Sequence, residues 1–187
     1  MRAYLSEQPE SPRTCARPIL VLGLGNILLR DEGVGVHVVR ALEHRTLPPN
    51  VEVVDGATAG FALVDVLADR RKVIVVDAVA ADCAPGTVLR LTAADLAPQL
   101  ATPLSLHEVG LAEALAATRQ LGVAPQEVVV IGVRPDLVEC GLELSPRISE
   151  LVPQMVELVL AELGCVAAGA APAEVAAGLC PGRHDGR

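Results

Sequence analysis

The first strand, loop and helix start of the fold are indicated by residues 19–35, ILVLGLGNILLRDEGVG. The first four residues form an apolar run typical of a strand that is buried on both faces. Gly23 and Gly25 then interrupt the strand with a tight loop, and Asp31 and Glu32 precede a helical pattern. We expect one of these carboxylates to cap the first helix. Ligands of open α/β sheets bind beyond the carboxyl ends of the strands, where this pair stands.

The first half of the chain alternates apolar runs with helical patterns, which indicates successive βαβ units and a parallel sheet. Because the crossovers are right-handed, the three strand ends share one edge. Each end is followed by acidic residues, namely Asp31 with Glu32, Asp55, and Asp77. Over the whole chain we predict strands at 19–24, 51–54, 72–76, 86–91 and 127–133, and helices at 33–45, 61–70, 106–121 and 146–163.

The second half of the chain adds a strand of opposite direction and a capped helix. The connection 80–85 is too short for a parallel crossover, so strand 86–91 is predicted to be antiparallel, beside the third strand. Ser105 and Glu108 have the spacing of a capping box at a helix start. This box places His107 in the first turn of a helix, at the predicted ligand edge.

These patterns predict an α/β fold, a three-layer sandwich with a five-stranded, mostly parallel twisted sheet and helices on both faces. A length of 187 residues suits one domain, which we assign to residues 18–163. Residues 1–17 are predicted to be a flexible leader. Residues 164–187 are rich in Ala, Gly and Pro without periodicity, and are predicted to be a disordered tail.

Composition excludes several classes of function. The net charge of −8 argues against nucleic-acid binding, which depends on Lys and Arg neutralising phosphates. No apolar run reaches the roughly 20 residues of a membrane span, and the N-terminus lacks a signal-peptide apolar segment. The five cysteines contain no CxxC pair, which argues against a disulfide framework or a thiolate zinc site. We expect a cytoplasmic monomer without membrane or nucleic-acid partners.

The first loop also excludes common nucleotide and hydrolase motifs. A GxGxxG dinucleotide fingerprint requires glycine where Leu28 stands, and Asp31 and Glu32 would repel a pyrophosphate. The chain has neither a GxxxxGK[ST] phosphate loop nor a GxSxG nucleophile elbow.

Glu32, Asp77 and His107 are the candidate metal ligands. Each alone has an ordinary explanation: a helix cap, a strand-end turn and a solvent-facing residue in a first helical turn, respectively. Together, two carboxylates and an imidazole at one sheet edge form an N/O donor set that suits a divalent transition metal. Their predicted convergence favours a shared site.

Five motifs, taken together, resemble one known family. They are GxGNxLLxDEGxG at 23–35, DGATAG at 55–60, VVDAV at 75–79, SLHEVGL at 105–111 and IGVRP at 131–135. This combination is similar to that of the nickel–iron hydrogenase maturation endopeptidases, and the resemblance covers about residues 18–163.

The resemblance implies an endopeptidase that removes a C-terminal peptide from the hydrogenase large-subunit precursor after nickel insertion. The family's nickel-binding Glu, Asp and His fall on Glu32, Asp77 and His107. The substrate would supply the nickel, and the isolated protein could hold another divalent metal. Asp77 and Asp55 are the candidate catalytic residues, and the expected nucleophile is a water molecule activated by the metal or by one of these two aspartates.

Two other functions use the same features. A non-catalytic nickel chaperone or sensor could use the same three ligands. A small-molecule hydrolase on an α/β scaffold would turn over generic esters or peptides without nickel. Incubation with a nickel-loaded precursor separates the three, because only the protease shortens the large subunit.

Overall fold

A computed structural model describes residues 18–57, 62–92, 95, 106–165 and 176–177, with the backbone alone for 106–109 and 176–177. The strands in this part of the chain are β1 Ile19–Leu24, β2 Val51–Ala57, β3 Lys72–Ala78, β4 Val88–Thr92, β5 Glu127–Val133 and β6 Ala176–Ala177. The helices are α1 Val34–Leu42, α2 Leu63–Leu67, α3 Leu106–Gln120 and α4 Pro146–Glu162, and a 3-10 turn, Arg30–Gly33, precedes α1.

The strands form one sheet in the order β2-β1-β3-β5-β4-β6. β2, β1, β3 and β5 run parallel, as the βαβ spacing predicts. The chain leaves β1 on one side for β2 and then crosses to the other side for β3. The sheet therefore has its switch point at β1, where the loops that follow adjacent strands separate and open a crevice.

β4 is antiparallel, as predicted, but it pairs with β5 and not with β3. The prediction assumed that consecutive strands are neighbours. β5 is buried on both faces over Val128–Val133 and therefore takes the interior position beside β3. The half-exposed Arg90 and Thr92 of β4 suit a position further out. The connection 79–87 can reach roughly 30 Å, which is ample to pass over one intervening strand.

Alternating side chains of the sheet pack into two cores, which confirms the three-layer sandwich. One face, represented by Val21 and Val76, packs against α1 and α4. The other face, represented by Leu22 and Val75, packs against α2 and α3. Aliphatic side chains supply these cores, as the near absence of aromatic residues requires. No helix in the described part of the chain is long and apolar enough to cross a membrane.

β6 was not among the five predicted strands. Its residues pair in parallel with Leu89 and Arg90 of β4 and extend the sheet at that edge. Two alanines in an Ala/Gly-rich segment carry no strand periodicity, so the sequence offered no signal for this strand. The predicted leader, and residues 166–175 and 178–187 of the predicted tail, lie outside the described residues.

Candidate active site at the carboxyl edge of the sheet

The start of α1 lies directly over the carboxyl ends of β1 and β3. A Cβ added to Gly35 would stand 2.1 Å from the carbonyl oxygen of Val76 and 2.3 Å from that of Leu24. A Cβ on Gly23 would similarly stand 2.4 Å from the carbonyl oxygen of Gly35. Only glycine permits this approach of helix to sheet. The 3-10 turn that carries Glu32 is thereby brought to the sheet edge beside β3.

Gly25 fixes the path of the loop between β1 and this turn. Its φ is +127°, in a region that side chains rarely adopt, and an added Cβ would stand 1.9 Å from the carbonyl oxygen of Glu32. The tight loop expected at Gly25 is thus present, and it needs both a glycine torsion and a close backbone approach. Gly25 therefore holds the backbone of the candidate ligand Glu32 in place.

Asp31 does not cap the first helix, contrary to expectation. Gly33 occupies the N-cap of α1, and no side chain caps the helix there. Instead Asp31 is fully buried and its carboxylate accepts hydrogen bonds from the backbone N–H groups of Asp136 at 3.0 Å and Leu137 at 2.7 Å. The backbone N–H and hydroxyl of Ser145 also donate to it, at 2.6 and 2.8 Å. Asp31 thus joins the first loop to the loop after β5.

Asp77 stands near the end of β3, where the sequence placed it, and is almost completely buried. Its Oδ1 accepts a hydrogen bond from the N–H of Ala78 at 2.8 Å. Val75 and Val79 pack into the core beneath α2 and α3, and side chains alternate along a strand. Asp77 therefore projects from the α2/α3 face of the sheet, at its carboxyl edge.

His107 lies in the first turn of α3, as the capping box predicted, and its side chain lies outside the described residues, as does Ser105. The far end of α3 lies near the amino ends of β3 and β5, since Asp69 N–H donates to Val123 and Gln126 N–H donates to Arg70. A 15-residue helix is about 22 Å long, close to the length of β5. The first turn of α3 therefore reaches the carboxyl edge, on the same face as Asp77.

Asp55 is not brought together with Asp77. It pairs in register with Gly23 of β1, which in turn pairs with Val76 of β3, a separation of about 10 Å across two strand spacings. Asp55 also faces the α1 side of the sheet, where its Oδ2 lies 3.2 Å from the guanidinium of Arg40. The two predicted catalytic aspartates thus lie on opposite faces.

Comparison with known proteins now identifies the family. The sequence model described as Hydrogenase maturation protease matches residues 36–162, which include Asp77 and His107. The chain is 41% identical to the Hydrogenase 2 maturation protease of Escherichia coli over 147 residues, 78% of this chain and 90% of the relative.

The chain belongs to the hydrogenase maturation protease family.

Solved structures agree with this assignment, and the resemblance inferred from the motifs is confirmed. The hydrogenase maturating endopeptidase HybD from E. coli superposes with a TM-score of 0.74 at 41% identity, covering 78% of this chain and 91% of that chain. The [NiFe] hydrogenase maturation protease HybD from Thermococcus kodakarensis gives 0.64 at 26% identity, covering 78% and 98%. The chain is accordingly a peptidase with the fold of this family.

The candidate metal ligands of this maturation protease are Glu32, Asp77 and His107. Among the side chains that the structure describes, which do not include His107, no three His, Cys, Asp or Glu residues are grouped to hold a metal ion. The carboxylates of Glu32 and Asp77 are oxygen donors, and an imidazole from the first turn of α3 would complete an N/O set for a divalent transition metal. The metal-ligand prediction therefore stays a prediction that depends on His107.

Arg134 is a residue of the same edge to which the sequence assigned no role. Its backbone is fixed by hydrogen bonds to Thr87 and Gly86, and it follows Val133, which packs on the α1/α4 side. Alternation turns Arg134 to the side of Asp77. Its Nε is buried and makes no hydrogen bond with the described residues. A guanidinium here can donate to a carbonyl or carboxylate oxygen of bound peptide.

Proposed function

We propose that this protease removes a C-terminal segment from a hydrogenase large-subunit precursor after nickel insertion, and that the bound nickel is its recognition element. The observation that carries the proposal is the arrangement at the carboxyl edge. Asp77 ends β3 on the face covered by α3, and the first turn of α3 reaches that edge. The turn that bears Glu32 contacts β3 at the same edge.

This edge suits recognition of a metal that the substrate already holds. Two carboxylates and an imidazole can add ligands to a nickel ion bound by substrate thiolates, because such an ion accepts N and O donors as well as sulfur. Coordination would then orient the adjacent peptide bond, and positioning alone can contribute much of the rate acceleration. The nickel belongs to the substrate in this scheme.

The same edge offers a base for hydrolysis. Asp77 is the favoured general base, because it lies on the α3 side of the crevice while Asp55 lies on the other face and pairs with Arg40. The proposed residues include no serine or cysteine nucleophile, so attack by an activated water is the simplest route. The peptide nitrogen would take a proton as it leaves, and the Asp77 carboxyl is a suitable donor for it.

Processing of purified precursor tests the proposal. Full-length protease is incubated with nickel-loaded and nickel-free precursor, and products are resolved by mass spectrometry. We expect shortening of the nickel-loaded precursor alone, and strong losses for Glu32→Gln, Asp77→Asn and His107→Ala in folded protein. Equal cleavage of nickel-free precursor would defeat metal recognition. Binding of nickel without cleavage would favour the chaperone instead.

A further inference from the structure

Exposed apolar side chains are concentrated at one place beside the candidate site. Five large hydrophobic side chains are exposed among the described residues, and four of them lie in the loops after β1 and β5. We call Leu28, Leu137, Val138 and Leu142 the edge patch. The fifth, Leu121, lies at the far end of α3, away from the carboxyl edge. A concentration of exposed apolar side chains marks interaction sites more often than scattered residues do.

The two loops of the edge patch are bonded to each other. Gly141 N–H donates to the carbonyl of Leu28 at 2.9 Å, and Arg30 N–H donates to the carbonyl of Gly141 at 3.0 Å. Asp31 N–H donates to the carbonyl of Leu137 at 3.3 Å, and the buried Asp31 carboxylate binds the same loop. The apolar side chains are thus presented on a fixed backbone, which lowers the entropic cost of binding a partner.

The edge patch adjoins the proposed site without containing its catalytic residues. Leu28 stands just before the 3-10 turn that carries Glu32, and the second loop begins where β5 ends beside β3. Both loops lie at the carboxyl edge and lead into α1 and α4, which cover one face of the sheet. Asp77 projects from the other face at the same edge. A protein held on the edge patch would therefore be beside the cleavage site.

Charges around the edge patch indicate what kind of partner fits it. The second loop carries Asp136, Glu139 and Glu143, all exposed, and the chain as a whole has a net charge of −8. Arg30 is already paired with Glu139 at 3.1 Å, and Arg147 lies 3.9 Å from Asp136, so the charges that border the patch are largely balanced. The net charge of the chain opposes both an anionic lipid surface and a second copy of the same chain. An apolar patch bordered by paired ions fits a protein surface with an apolar centre and a polar rim.

We infer that the edge patch is the docking surface for the hydrogenase large-subunit precursor, which contacts it through an apolar, polar-rimmed surface separate from the bond that is cut. This inference rests on the proposed function for the identity of the partner. Docking at a separate surface lets the protease select its own precursor, and it predicts changes in KM and binding with kcat preserved.

Leu142→Glu tests the inference, and Leu121→Glu is its matched control. The two leucines are similarly exposed, at 65% and 67%, so neither change should unfold the protein. We expect Leu142→Glu to weaken binding of nickel-loaded precursor and raise KM by about tenfold, as for a central interface residue, with kcat unchanged. Leu121→Glu should match the wild type in precursor binding, KM and kcat. Circular dichroism melting verifies that both variants are folded.

Two results would overturn the inference. In one, folded Leu142→Glu and Val138→Glu bind the nickel-loaded precursor as tightly as the wild type does and have the same KM. The other is a change from dimer to monomer in sedimentation of Leu142→Glu without any change in KM, because the edge patch would then join two copies of this chain. Failure of the proposed function looks different: the wild type would bind precursor, more weakly in Leu142→Glu, and cleave none of it.

Discussion

The carboxylate of Asp31 accepts hydrogen bonds from both the backbone N–H and the hydroxyl of Ser145, a residue 114 positions later in the chain. Ser145 is in turn the N-cap of α4, where its Oγ accepts from Ile148 N–H at 3.4 Å. One buried carboxylate therefore links the turn before α1 to the start of α4. Since the loop between β5 and α4 borders the candidate site, this link holds the site together as well as the fold.

Asp31→Asn should destabilise the protein by roughly 2–4 kcal/mol. The carboxylate has four donors around it, and an amide replaces one acceptor oxygen with an NH₂ group that must face them. Urea unfolding followed by circular dichroism measures the change. A loss below about 0.5 kcal/mol, the ordinary range of surface substitutions, would mean that the network contributes little.

Ser145→Ala should cost less, about 1–2 kcal/mol, because the backbone N–H still donates to Asp31 and only the cap and the hydroxyl bond are lost. The double variant with Asp31→Asn should lose less than the sum of the two single changes, by on the order of 1 kcal/mol. Unfolding curves of the four proteins give this coupling. Strict additivity would show that the two side chains act independently.

The parallel sheet could be predicted because its strands are short apolar runs that alternate with helical patterns. The tight loop at Gly25 could be predicted because glycine adopts backbone angles that other residues avoid. The structure shows such an angle there, together with a close contact with Glu32. The position of β4 could not be predicted, because the choice between β3 and β5 as its neighbour depends on burial of β5, which is a property of the assembled sheet.

The positions of the candidate site residues could be predicted only as far as strand ends and helix starts reveal them. The position of Asp77 follows from the end of β3, and the capping-box pattern in the sequence predicted that His107 lies in the first turn of α3. The bond from Asp31 to Ser145 joins residues far apart in sequence, and no local pattern indicates it. The faces of Asp55 and Asp77 depend on which side of each strand packs against α1 and which against α3, a property of the assembled sheet that no local pattern indicates.

Gly25→Ala should prevent stable folding or cost at least about 3 kcal/mol, because its backbone angle is unfavourable for alanine and its Cβ would collide with the carbonyl of Glu32. Gly122→Ala is the control: φ is +73° there, but an added Cβ meets nothing within 4 Å. The control should cost only about 1–2 kcal/mol from the left-handed conformation. Equal losses in thermal melts would contradict the close-contact explanation.

Glu162 should make stability depend on acid pH. Burial alone would raise the pKa of Glu162, but hydrogen bonds and charges from Arg90 and Lys72 outweigh it and lower that pKa below its ordinary value of 4.5. A lowered carboxyl pKa contributes stability above the unfolded-state value, and the contribution is lost as pH falls through the folded-state value. The advantage of wild type over Glu162→Gln should therefore be present at pH 7 and decline below about pH 4.5.

Glu157→Gln on the same helix is the control for this pH dependence. Glu157 lies 2.8 Å from Arg45, the same distance as Glu162 from Lys72, but both side chains of the Glu157 pair are largely exposed. Exposed pairs contribute about 0–1 kcal/mol, so this variant should follow the wild type across the pH range. Urea midpoints at several pH values provide the comparison. If the difference in stability between wild type and Glu162→Gln did not change with pH, the lowered pKa of Glu162 would be contradicted.

Asp77→Asn and Asp55→Asn distinguish the two aspartates that were candidates for catalysis. Asparagine at position 77 keeps an Oδ1 to accept from Ala78 N–H, so the variant should fold, yet it can neither take up a proton nor ligate a cation as a carboxylate does. We expect its cleavage of nickel-loaded precursor to fall by about 10²-fold or more, the usual contribution of a general base. Asp55→Asn loses an exposed ion pair with Arg40 on the opposite face and should retain activity within about threefold.

Single-turnover cleavage with melting curves for both proteins separates chemistry from folding. The reverse outcome, an inactive folded Asp55→Asn beside an active Asp77→Asn, would transfer the role of base to Asp55 and place the reaction on the α1 side of the sheet.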